Sequence, residues 1–80
     1  MMQVQVALYA NLGRYHPRGE GYKEFSLEVP PGGPVGVVLE ILEIPLEEHK
    51  VVFVNNRRRE LEEPLEEGDR VAIFPPVAGG

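Results

Sequence analysis

The sequence predicts a small two-layer α+β domain, in which a mixed sheet of four to five strands packs on one main helix. Two observations support this prediction. Segments near both ends of the chain have the apolar pattern of β-strands, and one segment between them has the spacing of an amphipathic helix. Two strands, one helix and further strands are compatible with a single sheet that covers that helix. The predicted order is therefore β, β, α, β, a short β, and β.

The first two strands are predicted by strict alternation of apolar and polar residues. In "QVQVAL" Val4, Val6 and Leu8 share one face, and "KEFSLEV" repeats the same pattern. The segment between them, "ANLGRYHPRGEGY", contains Pro17 and is rich in glycine, so we predict a long loop rather than a helix. His16 within this loop is expected to be solvated.

The main helix is predicted in "PPGGPVGVVLEILEIP". Valines and leucines at positions i, i+3, i+4 and i+7 from Val35 form one apolar face, Pro34 suits the first helical position, and Pro45 is expected to end the helix. Gly36 costs the helix roughly 1 kcal/mol relative to alanine. We therefore expect the helix to depend on packing against the sheet.

Three further strands are predicted in the second half of the chain. "KVVFV" is rich in β-branched residues and precedes a turn at "NN", "RREL" is a candidate short edge strand, and "RVAIF" is the last strand. Pro75 and Pro76 lack the N–H groups that a sheet ladder needs, so the last strand ends before them. We predict a domain over residues 1–74 and a flexible tail over residues 75–80.

The composition narrows the class of partner. Thirteen acidic and eight basic residues give a net charge of −5. This charge disfavours binding to nucleic acid and favours binding to a basic groove on another protein. The alternative is that the negative charge serves only to keep the protein soluble. No apolar run approaches the ~20 residues of a membrane span, and the first residues do not resemble a signal peptide. The expectation is a cytoplasmic protein that does not contact membranes.

Residues for catalysis or metal binding are sparse. There is no cysteine, and His16 and His49 lack further ligands at metal-site spacing. Ser26 falls on the outward face of a strand with no histidine near it in the sequence, so no activated nucleophile is expected. The carboxylates between Glu60 and Glu67 are more typical of a solvated acidic face than of an acid–base pair.

The tail carries the one group that could take part in a reaction, the α-carboxylate of Gly80. Such a carboxylate has a pKa of about 3.3–3.7, is ionised at neutral pH, and needs adenylation by ATP before a thiol or amine can attack it. Gly79 and Gly80 have no Cβ and could enter a narrow channel in another enzyme, while Pro75 and Pro76 lower the ordering cost of docking. The alternative is a frayed terminus without function.

A family resemblance rests on these same residues. Between Val54 and Gly80, the segments "VN", "PL", "GD", "VA" and "FPPVAGG" occur in the order and approximate spacing of the MoaD/ThiS family of ubiquitin-like sulfur carriers. The tail is most similar to that of the small subunit of molybdopterin synthase. "PVGVVLEILEIPLEE" is similar to the crossover helix of the family and "VQVALYANL" to its first strand. The resemblance implies a ubiquitin-like β-grasp fold, with the first and last strands side by side.

The resemblance also implies a chemistry. An E1-like adenylyltransferase would adenylate Gly80, and a persulfide donor would then convert it to a thiocarboxylate. The thiocarboxylate would enter the large subunit of molybdopterin synthase and give its sulfur to cyclic pyranopterin monophosphate. No bound cofactor is expected, because ATP is consumed on the activating enzyme. The site residues implied are Gly79 and Gly80 for the chemistry, and Phe74, Pro75, Pro76, Val77 and Ala78 for partner binding.

Some alternatives stay open at this point. Phe74 could be an apolar anchor for a partner, together with Val77, or it could pack in the core. The activated carrier could serve thiamine synthesis or tRNA thiolation, or it could be attached to lysines as a protein modifier. A different class of function is a non-covalent binding module with an inert tail, in which the long loop with Tyr15, His16, Arg18 and Tyr22 would be the binding segment.

Overall fold

The alternating segments form one five-stranded sheet in a computed structural model, which describes residues 1–19, 24–49 and 51–76. The predicted order of elements is confirmed. The elements are β1 (Met2–Leu8), β2 (Phe25–Val29), α1 (Gly36–Ile41), β3 (Val51–Val54), β4 (Arg57–Arg59) and β5 (Arg70–Phe74), with short 3₁₀ helices at Ala10–Tyr15 and Leu46–Glu48.

The strands lie in the order β2-β1-β5-β3-β4. β1 pairs antiparallel with β2 and parallel with β5, so the first and last strands are neighbours at the centre of the sheet. β3 pairs antiparallel with both β5 and β4. The mixed β-grasp sheet that the sequence predicts is thus confirmed, and the short edge strand predicted at "RREL" is β4, one residue earlier.

The core lies between α1 and one face of the sheet. Alternate residues of β1 point into it, as the alternation in the sequence predicted. Alternate residues of β5 and β3 point into it as well, and Val38 and Leu39 of α1 cover them. The residues that are fully buried there include Val4, Val6, Val29, Val35, Val54, Leu65, Val71 and Ile73. The opposite face of the sheet carries the remaining side chains of these strands.

Helix α1 is shorter than the sequence predicted. Its first backbone N–H groups are satisfied by a neighbouring segment, since Val35 donates to the carbonyl of Glu63 (2.8 Å) and Gly36 to that of Leu61 (2.9 Å). The predicted end at Pro45 is wrong. Glu43 adopts a left-handed φ of 59°, and the N–H of Ile44 donates to the carbonyl of Leu39 (2.9 Å). This closure, typical of a Schellman motif, ends the helix before the proline is reached.

The segment after β1 is more ordered than a loop. Residues Ala10–Tyr15 form a 3₁₀ helix that inserts Leu12 into the core. The prediction that His16 is solvated is wrong, because only 6% of its surface is exposed. Its ring packs edge-on against Phe25 at 4.3 Å, and its Nδ1 accepts the N–H of Arg18 (2.9 Å). Tyr22 lies outside the described residues.

The predicted turn at "NN" is confirmed. Asn55 and Asn56 have φ values of 53° and 69° and form the two-residue connection between β3 and β4. Left-handed values at both positions are typical of the type I′ hairpin turn, in which asparagine is favoured. Within the described part of the chain, no helix is long and apolar enough to cross a membrane.

Candidate functional site

The structure describes the base of the tail but not its tip. Phe74 is the last residue of β5 and pairs with Val51 of β3. Pro75 is half-buried and Pro76 is exposed, and neither can donate to the ladder. Four of the predicted site residues, Val77, Ala78, Gly79 and Gly80, lie outside the described residues, so their roles stay predictions.

Three aromatic side chains meet where β5 ends, on the face of the sheet that points away from α1. The rings of Tyr9 and Phe74 stack, with centroids 4.4 Å apart and planes 12° from parallel. Phe53 of β3 packs edge-on against Phe74 at 5.6 Å and 84°. We call Tyr9, Phe53 and Phe74 the outer aromatic patch.

The strand register explains why these rings meet. β1 and β5 run parallel with Leu8 opposite Ile73, and the N–H of Tyr9 donates to the carbonyl of Ile73 (3.2 Å). Tyr9 therefore lies beside Phe74. Because Ile73 points into the core, its neighbour Phe74 must point to the other face. Phe53 reaches the same face from the strand on the other side of β5.

This geometry excludes the interpretation that Phe74 packs in the core, and its role as a partner anchor stays a prediction. It is not part of the core cluster, and the side chains of β5 that fill the core are Val71 and Ile73. Phe74 is half-buried by the other two rings, and Tyr9 is 38% exposed. A shallow cavity of about 250 Å³ lies against the patch and also touches Asn56, Arg70 and Ala72. The outer aromatic patch is thus an accessible apolar surface at the base of the tail.

Arg70 provides the charge beside this patch. Its Nη2 donates to a carboxylate oxygen of Glu24 (2.7 Å) and to the hydroxyl of Tyr9 (3.3 Å). The hydrogen bond from Arg70 holds the pKa of Glu24 below its ordinary value. The same bond, together with that to Tyr9, raises the pKa of the Arg70 guanidinium further above its already high value. Arg70 is therefore a permanent cation that fixes the position of Tyr9.

Two of the short motifs noted in the sequence form a clamp at the start of β5. Asn55 of "VN" donates through Nδ2 to Asp69 of "GD" (2.9 Å), and its Oδ1 accepts the N–H of Arg70 (2.9 Å). The N–H of Asn55 in turn donates to the carbonyl of Arg70 (2.9 Å). Gly68, with a φ of 84°, makes the turn into this clamp. These motifs fix the strand that leads into the tail.

The polar residues considered for catalysis have structural roles. Ser26 faces outward, as predicted, and accepts a hydrogen bond from Gln5 across the strand pair (2.7 Å). Glu63 and Glu67 accept backbone N–H groups of Glu60 (2.8 Å) and Gln3 (3.1 Å), which explains part of the acidic segment. Among residues 1–19, 24–49 and 51–76, no group of three His, Asp or Glu side chains could hold a metal ion.

Sequence reasoning identified Phe74, Pro75 and Pro76 but missed Tyr9, Phe53 and Arg70. The signal for Phe53 was the continuous apolar run "KVVFV", because a strand without alternation is covered on both faces. Arg70 lies on the same strand as Phe74, four residues earlier, so alternation along β5 places both on one face. Tyr9 carried no comparable signal and joins the site only through the parallel pairing of β1 with β5.

Comparisons with known proteins agree with this fold. The putative molybdopterin converting factor subunit 1 of Pyrococcus furiosus is 26% identical over 96% of this chain and 100% of its own, with a TM-score of 0.74. SAMP1 of Haloferax volcanii is 26% identical over 98% of this chain and 99% of its own, with a TM-score of 0.75.

A third structure shows the same fold at lower identity. It is the complex of subunits 1 and 2 of the molybdopterin-converting factor of Helicobacter pylori, in which the matching chain is 21% identical, with coverage of 99% of this chain and 100% of that one and a TM-score of 0.63. No significant relative is found among curated protein sequences. The model of the ThiS family matches residues 13–80. This chain therefore belongs to the ThiS family of ubiquitin-like sulfur carriers.

Proposed function

We propose that this protein carries sulfur for molybdopterin synthesis, as the small subunit of molybdopterin synthase, with Gly80 as its chemical site. The observation that supports this most is the outer aromatic patch, which places an accessible apolar surface at the base of a Pro-Pro and Gly-Gly tail. The likeness to a putative molybdopterin converting factor subunit 1 points to the same pathway. The matching chain from Helicobacter pylori is in a complex with a second subunit.

The proposed chemistry takes place at the Gly80 carboxylate. One of its oxygens attacks the α-phosphorus of ATP on an E1-like adenylyltransferase, and pyrophosphate leaves. The terminal sulfur of a persulfide donor then displaces AMP from the acyl-adenylate. A thiol cleaves the resulting acyl disulfide, which leaves the thiocarboxylate and a disulfide. The thiocarboxylate donates its sulfur to cyclic pyranopterin monophosphate within the large synthase subunit.

In this proposal the chain supplies a docking surface and a tail that extends into the partner's active site, and the partner enzymes supply the catalytic groups. Phe74 and its two aromatic neighbours form the docking surface, and aromatic side chains are frequent anchors at protein interfaces. Prolines restrict the unbound tail, which reduces the roughly 1–2 kcal/mol per residue lost when a flexible chain is ordered. Glycines at the tip admit the reacting carboxylate to a narrow site. The net charge of −5 steers the protein toward a basic partner surface.

The test is the intact mass of the protein after incubation with ATP, a persulfide donor and the E1-like adenylyltransferase. We expect a mass increase equal to the replacement of one oxygen by one sulfur, and fragmentation should map it to Gly80. Deletion of Gly80 should abolish the increase. Gly13→Ala, a matched change where a new Cβ would meet no atom within 4 Å, should react as the parent does.

A variant of the docking surface completes this experiment. Phe53→Ala removes one ring of the outer aromatic patch and leaves the tail intact, so it should raise the KM for the carrier in the adenylation reaction. An unchanged mass of the parent, with an adenylyltransferase that is active on another carrier, would contradict the proposal. Sulfur transfer to cyclic pyranopterin monophosphate in the presence of the large subunit then tests the pathway.

A second candidate function has its own support. The likeness to SAMP1, a small archaeal modifier protein, favours attachment of activated Gly80 to lysine side chains of other proteins. The same activated mixture distinguishes the two functions. Conjugates of higher mass that contain a Gly80–lysine isopeptide bond would support the modifier, and a thiocarboxylate without conjugates would support the sulfur carrier.

A further inference from the structure

A second concave surface lies in the helix layer, on the other side of the sheet from the outer aromatic patch. It is a groove of about 470 Å³ between α1 and the segment that follows β4. We call it the helix-side groove. Its main lining residues are Leu39, Glu40, Ile44, Leu46, Leu61 and Glu62. Leu39 and Ile44 are buried, whereas Leu46 is 62% exposed. An apolar groove rimmed by polar side chains is typical of a surface that a partner covers.

The frame of this groove is fixed by backbone hydrogen bonds. Gly36 donates to the carbonyl of Leu61, Val35 to that of Glu63, and Leu65 to that of Gly33, all at 2.8–2.9 Å. Because these groups already bond each other, the groove walls do not offer them to an added β-strand. Docking through side chains, as amphipathic helices do in grooves, needs none of these backbone groups.

The rim of the groove is acidic. Glu40 and Glu62 line it, and Glu43 and Glu47 are close to it along the chain, each exposed. Within the described residues none of these four carboxylates forms an ion pair, whereas Glu48 pairs with Arg14 and Glu63 with Arg59. Charges that have no counterion among the described residues are available to a partner. The complementary partner surface is therefore basic around an apolar centre.

We propose that the helix-side groove docks an amphipathic helix of a partner protein, with leucine-sized side chains on its apolar face and Lys or Arg beside them. Leu46 would cover the inserted side chains, and Glu40 and Glu62 would pair with the flanking cations. The groove and the outer aromatic patch lie on opposite sides of the sheet. A partner can therefore occupy the groove while the tail is engaged elsewhere, and the inference does not rest on the proposed sulfur chemistry.

The test uses a synthetic peptide, LKKLLKLLKKLLKL, whose leucines and lysines have helical spacing, and a control peptide in which glutamate replaces every lysine. Amide NMR spectra of the isotope-labelled protein should change at Gly36, Leu39, Leu46 and Leu61 on addition of the lysine peptide. The glutamate peptide should cause no change. Higher salt should weaken the binding, because the rim charges are exposed.

Matched variants locate the binding. Leu46→Ser should weaken it about tenfold, the factor expected from burial of one leucine side chain. Ile41→Ser, a similar change at a residue that is 43% exposed on α1 but outside the groove, should leave affinity unchanged. Neither position belongs to the core cluster, so both variants should stay folded, which their unfolding curves check. Spectral changes confined to the outer aromatic patch, equal binding of both peptides, or full affinity of Leu46→Ser would overturn the proposal.

Discussion

At the scale of single residues, Arg70 connects the candidate site to the edge of the sheet. It reaches Glu24, next to β2, and the hydroxyl of Tyr9, whose ring stacks on Phe74. Exposed ion pairs contribute little stability on their own. The ion pair of Arg70 with Glu24 matters for position instead, because Arg70 also bonds the hydroxyl of Tyr9, one ring of the outer aromatic patch.

The Arg70 contact predicts a pH dependence. The pKa of Glu24 is lowered in the folded protein, so its contribution to stability is present above the ordinary value of 4.5 and is lost as the pH falls through the lowered value. Glu24→Gln should therefore be less stable than the parent at neutral pH, and the difference should disappear in acid. Urea midpoints measured from neutral pH down to acid check this.

The control for this measurement is Glu28→Gln, at an exposed position on β2 without a contact to Arg70. Its midpoint should follow that of the parent at every pH, and moderate salt should reduce the effect of Glu24→Gln. If the urea midpoints of Glu24→Gln and the parent differed by the same amount at every pH, the charge of Glu24 would not contribute to stability.

At the scale of elements, the sequence predicts strands better than it predicts the helix and the long loop. β1 and β2 follow from alternation, since each strand buries one face and a slip by one residue would expose it. The end of α1 does not follow, because it is set by Glu43 in a conformation that glycine usually adopts. The burial of His16 depends on Phe25, a contact that exists only after the chain folds back.

The candidate site, too, depends on contacts between distant segments that local sequence patterns do not predict. Phe74 and the two prolines after it could be found from the sequence, because they lie together at the end of one strand. Tyr9 directly follows β1 and Phe53 lies in β3, and only the order β1-β5-β3 brings them to Phe74. Alternation says which face a residue occupies, but it does not say which strands are neighbours.

The helix end gives a prediction at this scale. Glu43→Gly should stabilise the protein by about 0.5–1 kcal/mol, because glycine removes the left-handed strain of roughly 1–2 kcal/mol while it adds freedom to the unfolded chain. Glu40→Gly, the same change inside α1, should destabilise it by about 1 kcal/mol. Thermal and urea unfolding of both variants measure the two effects, and a loss of stability in Glu43→Gly would be inconsistent with this helix end.

At the scale of the whole molecule, the proposed function assigns separate tasks to the folded domain and to the tail. The core cluster lies between Met2 and Ile73, and the sheet ladder ends at Phe74. The outer aromatic patch faces one side of the sheet, and the helix-side groove lies on the other. We therefore expect the domain to present a docking surface next to a tail that contributes little to its stability.

Deletion of residues 77–80 tests this separation. The variant should unfold within about 2 °C of the parent, because it keeps every residue of the core cluster found among residues 1–19, 24–49 and 51–76. A loss of 1 kcal/mol would lower the melting temperature of a domain this size by roughly 4–8 °C. The same variant should fail to form a thiocarboxylate.

Deletion of residues 74–80 is the control, since it also removes Phe74, its pairing with Val51 and both of its ring contacts. That control should melt several degrees lower. If the shorter deletion lowered the melting temperature as much as the longer one, residues 77–80 would belong to the fold, and lost sulfur transfer in tail variants could reflect unfolding rather than chemistry at Gly80.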